Sequence, residues 1–520
     1  MNLSQCVNRA VQQSPNGMAT IFAGREHTWS TFKRRVSCLA GGLKQLGTVD
    51  NDRIAILALN SDRYLEYFFA VPWAGGMVVP INVRLAAPEI IFTLNDSEST
   101  ILIVDDTFTA VLPALEGKLS TIKTIIFAGE GETPEGCVNY EDLVANSSPA
   151  DDAGRCDKDL AGLFYTGGTT GRSKGVMLSH DNLLSNALGM IPSLGISCDD
   201  IYLHAAPMFH LADCASTFAT TLLGGTHCFV DKFDPVETLK AIVENQVTNG
   251  LLVPTMINMI INHPSFADYD LSSLRGVLYG ASPMPESVLL KTMELLPNCE
   301  LTQGYGMTET SPLITFLEPK YHTLEGPFAG RIKSAGRASV AVEVKIADED
   351  DNNEVARGAV GEVLTRGPHV MQGYWKMEEL SKETLRGGWM HTGDMAYMDD
   401  EGFIFVVDRS KDMIISGGEN VYSTETENSI YQHPAVQECA VIGVPHKDWG
   451  EQVHAVVVLK EGESLTEDAL KKHCAELIAG YKCPRSISFS EEPLPMSGAG
   501  KILKADLRKP FWKGQDKGVS

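Results

Sequence analysis

Short apolar runs separated by helix-period stretches recur through the first 300 residues, and this rhythm restricts the fold more than any other feature. Arg53–Leu59, Met77–Ile81, Ile101–Val104 and Thr124–Phe127 read as buried strands. Ser61–Ala74 lies between two of them, with Tyr64, Tyr67, Phe68 and Val71 at helical spacing. Strand–helix–strand alternation predicts a parallel sheet covered by helices. The same style returns further on, with Val230, a helix Pro235–Asn245, the run Gly250–Val253, a helix from Thr255, and Gly276–Tyr279. Two successive α/β units of similar size are expected.

From about residue 335 the texture changes. Val340, Val342, Val344 and Ile346 alternate, an acidic turn Asp348–Glu354 follows, and Gly361–Thr365 returns, which predicts an antiparallel hairpin. Strands at Ala396–Met398 and Phe403–Val407, joined by Asp399–Gly402, extend a β-rich third unit. Beyond Asp408-Arg409-Ser410-Lys411 lies a remainder of about 110 residues, the size of an independent domain. It alternates strands such as Glu438–Val444 and Val453–Leu459 with a helix Ser464–Ile478. A chain of 520 residues exceeds one hydrophobic core. The expected division is residues 1–408, a linker 409–411, and residues 412–520.

Composition narrows the class. At 43% hydrophobic and 21% charged residues the chain has the make-up of a globular enzyme. A formal charge of −24 argues against nucleic acid as a partner. Between Lys501 and Lys517 the balance reverses, with Lys501, Lys504, Arg508, Lys509, Lys513 and Lys517 against Asp506 and Asp516. That stretch is either a solvated tail or a cationic lip over an anionic ligand. Eleven cysteines contain no C-x-x-C pair and no zinc-spaced cluster, which points to reduced thiols and a cytoplasmic protein. Neither a signal peptide at Met1–Cys6, nor a peroxisomal tripeptide at the end, nor a membrane-spanning run is expected. A homodimer is compatible with the sequence.

Residues 165–175 read Tyr-Thr-Gly-Gly-Thr-Thr-Gly-Arg-Ser-Lys-Gly, directly after the apolar run Leu160–Tyr165. Gly167, Gly168 and Gly171 let backbone N–H groups converge, Thr166, Thr169, Thr170 and Ser173 add hydroxyls, and Lys174 adds charge. This chemistry suits a polyphosphate, although a flexible linker has the same composition. The segment is no Walker A loop, since Lys174 precedes Gly175 and no Gly-Lys-Ser/Thr triplet follows. Further turns stand out: Gly280-Ala281-Ser282-Pro283, Gly304-Tyr305-Gly306-Met307-Thr308-Glu309-Thr310, His391-Thr392-Gly393-Asp394, Gly417-Gly418-Glu419-Asn420 and Ser497–Lys501. Each alone is an ordinary turn.

In this order and spacing, with Tyr374-Trp375 before the Thr-Gly-Asp, they resemble the adenylate-forming superfamily of acyl-CoA synthetases, luciferases and nonribosomal adenylation domains. The resemblance runs from about residue 10 to 510. It implies an α/β fold with a large N-terminal domain of two α/β subdomains plus a β-rich one, and a small mobile α+β C-terminal domain. It also implies ATP and coenzyme A as co-substrates and Mg2+ as cofactor. Thr166–Gly171 and Lys174 would hold the β- and γ-phosphates, and Thr308 with Glu309 would serve the metal. Gly280–Ser282 and Gly304–Gly306 would enclose adenine with Tyr305 against its face, and Asp394 and Arg409 would hold the ribose. Lys501 would bridge the α-phosphate and the acyl carboxylate. Lys411 falls at the hinge, and Gly417, Gly418 and Glu419 fall where a coenzyme A tunnel forms. His210, in Pro207-Met208-Phe209-His210, would end one wall of an acyl pocket, or be a packed core histidine.

The expected reaction is acid–thiol ligation: a carboxylic acid attacks the α-phosphorus of ATP, and a thiol then displaces AMP. A carboxylate is ionised at neutral pH and needs no base; it needs charge neutralisation and alignment. A pocket of Phe209, Leu211, Val230, Met256, Ala281 and Met307 suits a fatty or aryl acid. Asp213, Asp231 and Asp234 lie nearby without a clear match to the aspartate that pairs an amino-acid ammonium. Two other readings stand: transfer to a carrier-protein pantetheine or a hydroxyl, and a luciferase-like oxygenase or non-turning-over nucleotide binder. Gly167 in place of serine, Arg172-Ser173 in place of a small residue and proline, and Thr426 in place of an aliphatic depart from the family pattern.

Overall fold

The structure is a computed structural model, and it describes residues 1–166, 173–282, 284–348, 351–409, 411–416, 419–447, 449–496 and 502–512. Two large sheets dominate. The first, of eight strands, runs Gly373–Tyr374, Lys174–Ser179, Leu160–Thr166, Met77–Pro80, Arg53–Leu57, Ser99–Val104, Thr124–Phe127, Val138–Asn139. Its strands from Leu160–Thr166 onward are parallel, and its other edge is antiparallel. The alternation of side chains explains why these strands are apolar throughout. Ile54 and Ile56 enter the main core, while Ala55 and Leu57 face a second cluster with Val79, Leu102 and Val104.

The second sheet, of nine strands, runs Arg337–Ala338, Leu313–Leu317, Glu300–Gly306, Gly276–Gly280, Asn249–Leu251, Ile201–His204, Thr226–Phe229, Met18–Phe22, Arg25–Thr28. Residues of both sheets and of the helices Trp29–Gln45, Asp62–Trp73, His180–Leu194 and Leu211–Leu223 share one core. The helix predicted at Ser61–Ala74 is found as Asp62–Trp73, buried along its whole length. Ser61 starts it by accepting from the Tyr64 N–H. Tyr67 explains part of its docking: its hydroxyl donates to the Ile54 carbonyl at 2.7 Å and accepts from the Val79 N–H at 2.6 Å.

The two expected α/β units are present, but they are not strictly successive in the chain. Met18–Phe22 leaves the first unit and pairs in parallel with Thr226–Phe229, and Gly373–Tyr374 returns to the first sheet. The predicted alternation from Val340 also starts later, at Glu343–Ala347. Ala341 adopts φ +64°, which no extended strand accommodates, and Val340 is left exposed.

A four-stranded antiparallel sheet follows: Glu343–Ala347, Gly361–Arg366, Met390–Met398, Ile404–Arg409. From Ile414 on, strands Glu419–Val421, Ile414–Ser416, Gly450–Leu459 and Val436–His446 form another sheet, with Ser486–Ser490 parallel to Gly450–Leu459. It has its own core of Ile414, Val421, Ile430, Val441, Val453, Leu470 and others. Thr426 is fully buried in the helix Ser423–Tyr431 and donates to the Lys482 carbonyl at 2.8 Å, so the polar departure noted there is satisfied locally. No helix among the described residues is long and apolar enough to cross a membrane.

Candidate active site

The carboxyl ends of the parallel strands Gly276–Gly280 and Glu300–Gly306 open onto one side of the second sheet, where open α/β sheets place ligands. Glycine is required there by close approach. Gly280 lies opposite Gly304, and a Cβ on it would come 2.2 Å from the Gly304 carbonyl oxygen. A Cβ on Gly306 would come 1.9 Å from that of Pro312. Ala281 turns the chain out of the sheet at φ +64°, and Ser282 follows at half burial.

Tyr305, between these glycines, donates its hydroxyl to Asp394 Oδ2 at 2.8 Å. Asp394 Oδ1 lies 3.1 Å from Arg409 Nε. The antiparallel strands Met390–Met398 and Ile404–Arg409 put Asp394 directly opposite Arg409. Each neighbour of Asp394 is tied down: His391 Nδ1 lies 2.7 Å from Glu362 Oε2, the Gly393 N–H donates to Glu362 at 2.8 Å, and the Asp394 N–H donates to Thr392 at 3.1 Å. Burial and then Asp394 push the Tyr305 hydroxyl well up, so it stays a donor. Asp394 raises the Arg409 guanidinium further.

A second cluster lies on the first sheet. Thr166 and Lys174 face each other across the hairpin whose tip, Gly167, Gly168, Thr169, Thr170 and Gly171, lies outside the described residues. Tyr374 donates to Glu309 Oε1 at 2.8 Å, and Lys174 Nζ stands 5.2 Å from the centre of the Tyr374 ring. Burial, then the like charge of Lys411, hold the Lys174 ammonium below its ordinary range, against Glu309 and Glu383. Sequence reasoning gave Tyr374 no role. Thr308 and Glu309 form one 3-10 turn on the cavity wall, offering one hydroxyl and one buried carboxylate. That set fits a hard cation sharing oxygens with a polyphosphate. It is no self-sufficient cage, since no group of three or more His, Cys, Asp or Glu among the described residues could hold a metal.

His210 caps the helix Leu211–Leu223, accepting at Nδ1 from the Ala212 N–H at 3.2 Å, and faces the cavity. Phe209, Leu211, Met256, Ala281 and Met307 line the same cavity; Val230 is buried behind it and is not part of the wall.

Toward the C-terminus the charge is internal. Lys504 Nζ lies 2.7 Å from Glu427 and also meets Ser423, whose N–H donates to Asp408. Burial alone would depress the Lys504 ammonium; Glu427, Asp408 and Asp412 outweigh it and hold it up. Arg508 pairs with Asp412 and donates to the Lys411 carbonyl at 3.1 Å. The cationic tail is thus partly a structural clamp, which local charge counting did not show. Lys501, Gly417 and Gly418 lie outside the described residues, and of Glu419 only the strand placement is described.

Thr166, Lys174, His210, Tyr305, Glu309, Tyr374, Asp394, Arg409, Glu427, Lys504 and Arg508 border one cavity of 4060 Å³. A single small ligand occupies about 300–1,000 Å³, so this cleft has room for several reactants together.

Comparison with known proteins agrees with that picture. The family model "AMP-binding enzyme" matches residues 7–375, and "AMP-binding enzyme C-terminal domain" matches 425–501. A feruloyl-CoA synthase of Amycolatopsis sp is 39% identical over 97% of this chain and 98% of its own. A fatty acid–[acyl-carrier-protein] ligase, ScoC of Streptomyces coeruleorubidus, is 33% identical over 98% and 96%. Among solved structures, an anthranilate CoA ligase in complex with anthranoyl-AMP superposes with a TM-score of 0.90 at 27% identity, covering 98% of this chain and 97% of that one. The chain belongs to the AMP-binding enzymes, within the adenylate-forming superfamily.

Proposed function

We propose that this enzyme is an acid–thiol ligase that forms an acyl-CoA from a carboxylic acid through an acyl-adenylate, releasing AMP and pyrophosphate. One observation carries the reading: the Tyr305–Asp394–Arg409 cluster, the Lys174–Glu309 cluster and an apolar wall open into the same cleft. The relatives named as CoA synthases and ligases support it.

In this reading Asp394 accepts from the ribose hydroxyls with Arg409 beside it, and Tyr305 lies against adenine between the close-packed Gly280 and Gly304–Gly306. Ala281 and Ser282 close the base's other side. Thr166, Gly167–Gly171 and Lys174 hold the β- and γ-phosphates. Thr308 and Glu309 would hold Mg2+, and the ion supplies neutralisation of phosphate charge when bound. Tyr374 keeps the Glu309 carboxylate oriented. The acyl chain runs past His210 along Phe209, Leu211 and Met256, and the acid is a fatty or aryl one. Lys501 supplies charge at the α-phosphate during adenylation. For the second step the unit from 412 to 520 turns about 409–411, with Lys411 at the pivot, and brings Gly417, Gly418 and Glu419 toward the thiol. A cytoplasmic location and a homodimer belong to the same proposal.

ATP–pyrophosphate exchange across straight-chain and aryl acids tests the first half. Exchange with at least one acid is expected; none with any acid would sink the reading. Transfer to a carrier-protein pantetheine is the second reading, favoured by the likeness to ScoC. Mass detection of free acyl-CoA against carrier-bound acyl product separates the two.

A further inference from the structure

Asn60 follows the strand Arg53–Leu57 of the first sheet, yet its side-chain amide reaches across to backbone of the second α/β unit. Nδ2 donates to the carbonyls of Ala206 at 2.9 Å, Val230 at 3.1 Å and His204 at 3.2 Å. Oδ1 accepts from the Met208 N–H at 2.8 Å. The Asn60 N–H adds a bond to the Asp231 carbonyl at 3.1 Å. Asn60 is 4% exposed, and Ala205, Ala206 and Met208 are buried with it. Its partners force the amide's orientation, since three carbonyls can only accept and an N–H can only donate. The anchor is firm as well. His204, at the end of the strand Ile201–His204, lies 2.6 Å from Asp213 and 2.9 Å from His227 through its two ring nitrogens, and all three are fully buried.

The residue type follows from these partners. An amide head offers two N–H donors and one accepting oxygen on a short stem. Aspartate would turn only acceptors toward the carbonyls, and glutamine would carry the head one methylene too far. A shorter side chain would strand buried backbone groups, at about 1–3 kcal/mol each. The segment so held carries the expected acyl wall. Ala205, Ala206, Pro207, Phe209 and His210 line the cleft, while the fully buried Met208 turns its N–H toward Asn60. The His210 N–H donates to the Pro207 carbonyl at 3.0 Å, so the turn enters the helix Leu211–Leu223 as one piece. A tether at Met208 therefore sets where Phe209 and His210 stand.

We propose that Asn60 is a positioning residue for the acyl group: it fixes segment 205–210 from behind and so sets how the acid's carboxylate meets the nucleotide. This rests on the ligase reading and deepens it. No contact between Asn60 and substrate is needed, because the residue acts through the backbone it holds. Misplacing a bound group by about 1 Å costs up to about a hundredfold in rate. Tyr305, Asp394 and Arg409 stand on other strands, so the acid and ATP should respond differently when the tether is cut.

The test uses full-length enzyme and pyrophosphate exchange with straight-chain acids from acetate to palmitate, benzoate and cinnamate. The acid with the highest wild-type kcat/KM is carried into Asn60→Ser. Its KM is expected to rise and its kcat to fall, together about a hundredfold in kcat/KM, with the KM for ATP within about twofold of wild type. A merely structural role would reduce the amount of working enzyme, lowering kcat and leaving both KM values in place. A double-mutant cycle gives the second readout. Asn60→Ser should cost at least about tenfold less in a Phe209→Ala background, since effects that run through one contact network do not add. Equal rises in the two KM values, unmoved KM values, or additive losses would each overturn the proposal while the ligase reading stands. Absence of wild-type exchange with every acid would remove both. If Asn60→Ser does not fold, hydrogen exchange of the wild type decides. The Met208 N–H is expected to exchange as slowly as the amides of the strand Ile201–His204, and exchange at the rate of an open loop would overturn the tether.

Discussion

Tyr305 and Arg409 converge on one carboxylate from opposite sides, and this fixes Asp394 before any nucleotide arrives. Tyr305→Phe removes one of the two holds. A hydrogen bond to a charged group is worth about 1.5–3 kcal/mol, so the KM for ATP in pyrophosphate exchange is expected to rise about tenfold or more. Asp394→Asn should cost more, since it also strands the Arg409 guanidinium. An unchanged KM in both variants would remove the ribose assignment. The Asp394–Arg409 pairing was not readable from the hairpin turn at Asp399–Gly402, whose regular antiparallel register would set Asp394 against Asp408; a β-bulge at Met395–Ala396 shifts the pairing by one and brings Arg409 opposite. The sequence marked the glycines at 280, 304 and 306 only as turns; the close backbone approach that excludes a side chain there comes from how the strands pair. Glu309 with Tyr374, and Asp213 with His204 and His227, follow no local rule. Their partners come from different elements, and only tertiary packing brings them within reach.

Among the elements, periodicity served well where burial was one-sided and poorly where a cap or a special φ cut a pattern short. The predicted helix Ser464–Ile478 narrows to Glu467–Leu477 because Thr466 accepts from the Ala469 N–H and sets its start. The N-terminal helix Ser4–Gln13 is held by a titratable contact: the Leu3 N–H donates to His180 Nδ1 at 3.2 Å. Burial lowers His180 to about 4, while an exposed imidazole titrates near about 6.5. Between those values the undocked segment binds a proton that the docked one refuses. Docking is therefore full above about pH 6.5 and weakens as pH falls toward about 4, by up to about 1.4 kcal/mol per unit. Hydrogen exchange at Val7–Ala10, corrected for intrinsic rate, should lose protection between pH values of about 7 and 5 in the wild type but not in His180→Gln. Equal behaviour of the two proteins would refute the linkage.

For the whole molecule, the proposed two-step reaction gives the unit from 412 to 520 two arrangements, and the half-reactions test it. Lys501→Ala is expected to suppress adenylate formation while leaving thioester formation from a supplied acyl-adenylate far less affected. Lys411→Pro is expected to do the reverse by stiffening the linker. Equal losses in both half-reactions would end that division of labour. The class of fold was legible from strand–helix alternation, but the membership of each sheet was not, because alternation says nothing about which strand a distant segment will join. The pairing of Thr20 with His227 shows what this entails for a chain still being made. The ribosome must deliver about two hundred further residues before Met18–Phe22 finds its parallel neighbour, so the hairpin it makes with Arg25–Thr28 waits with one edge unmated, and closure of the second sheet falls late in synthesis.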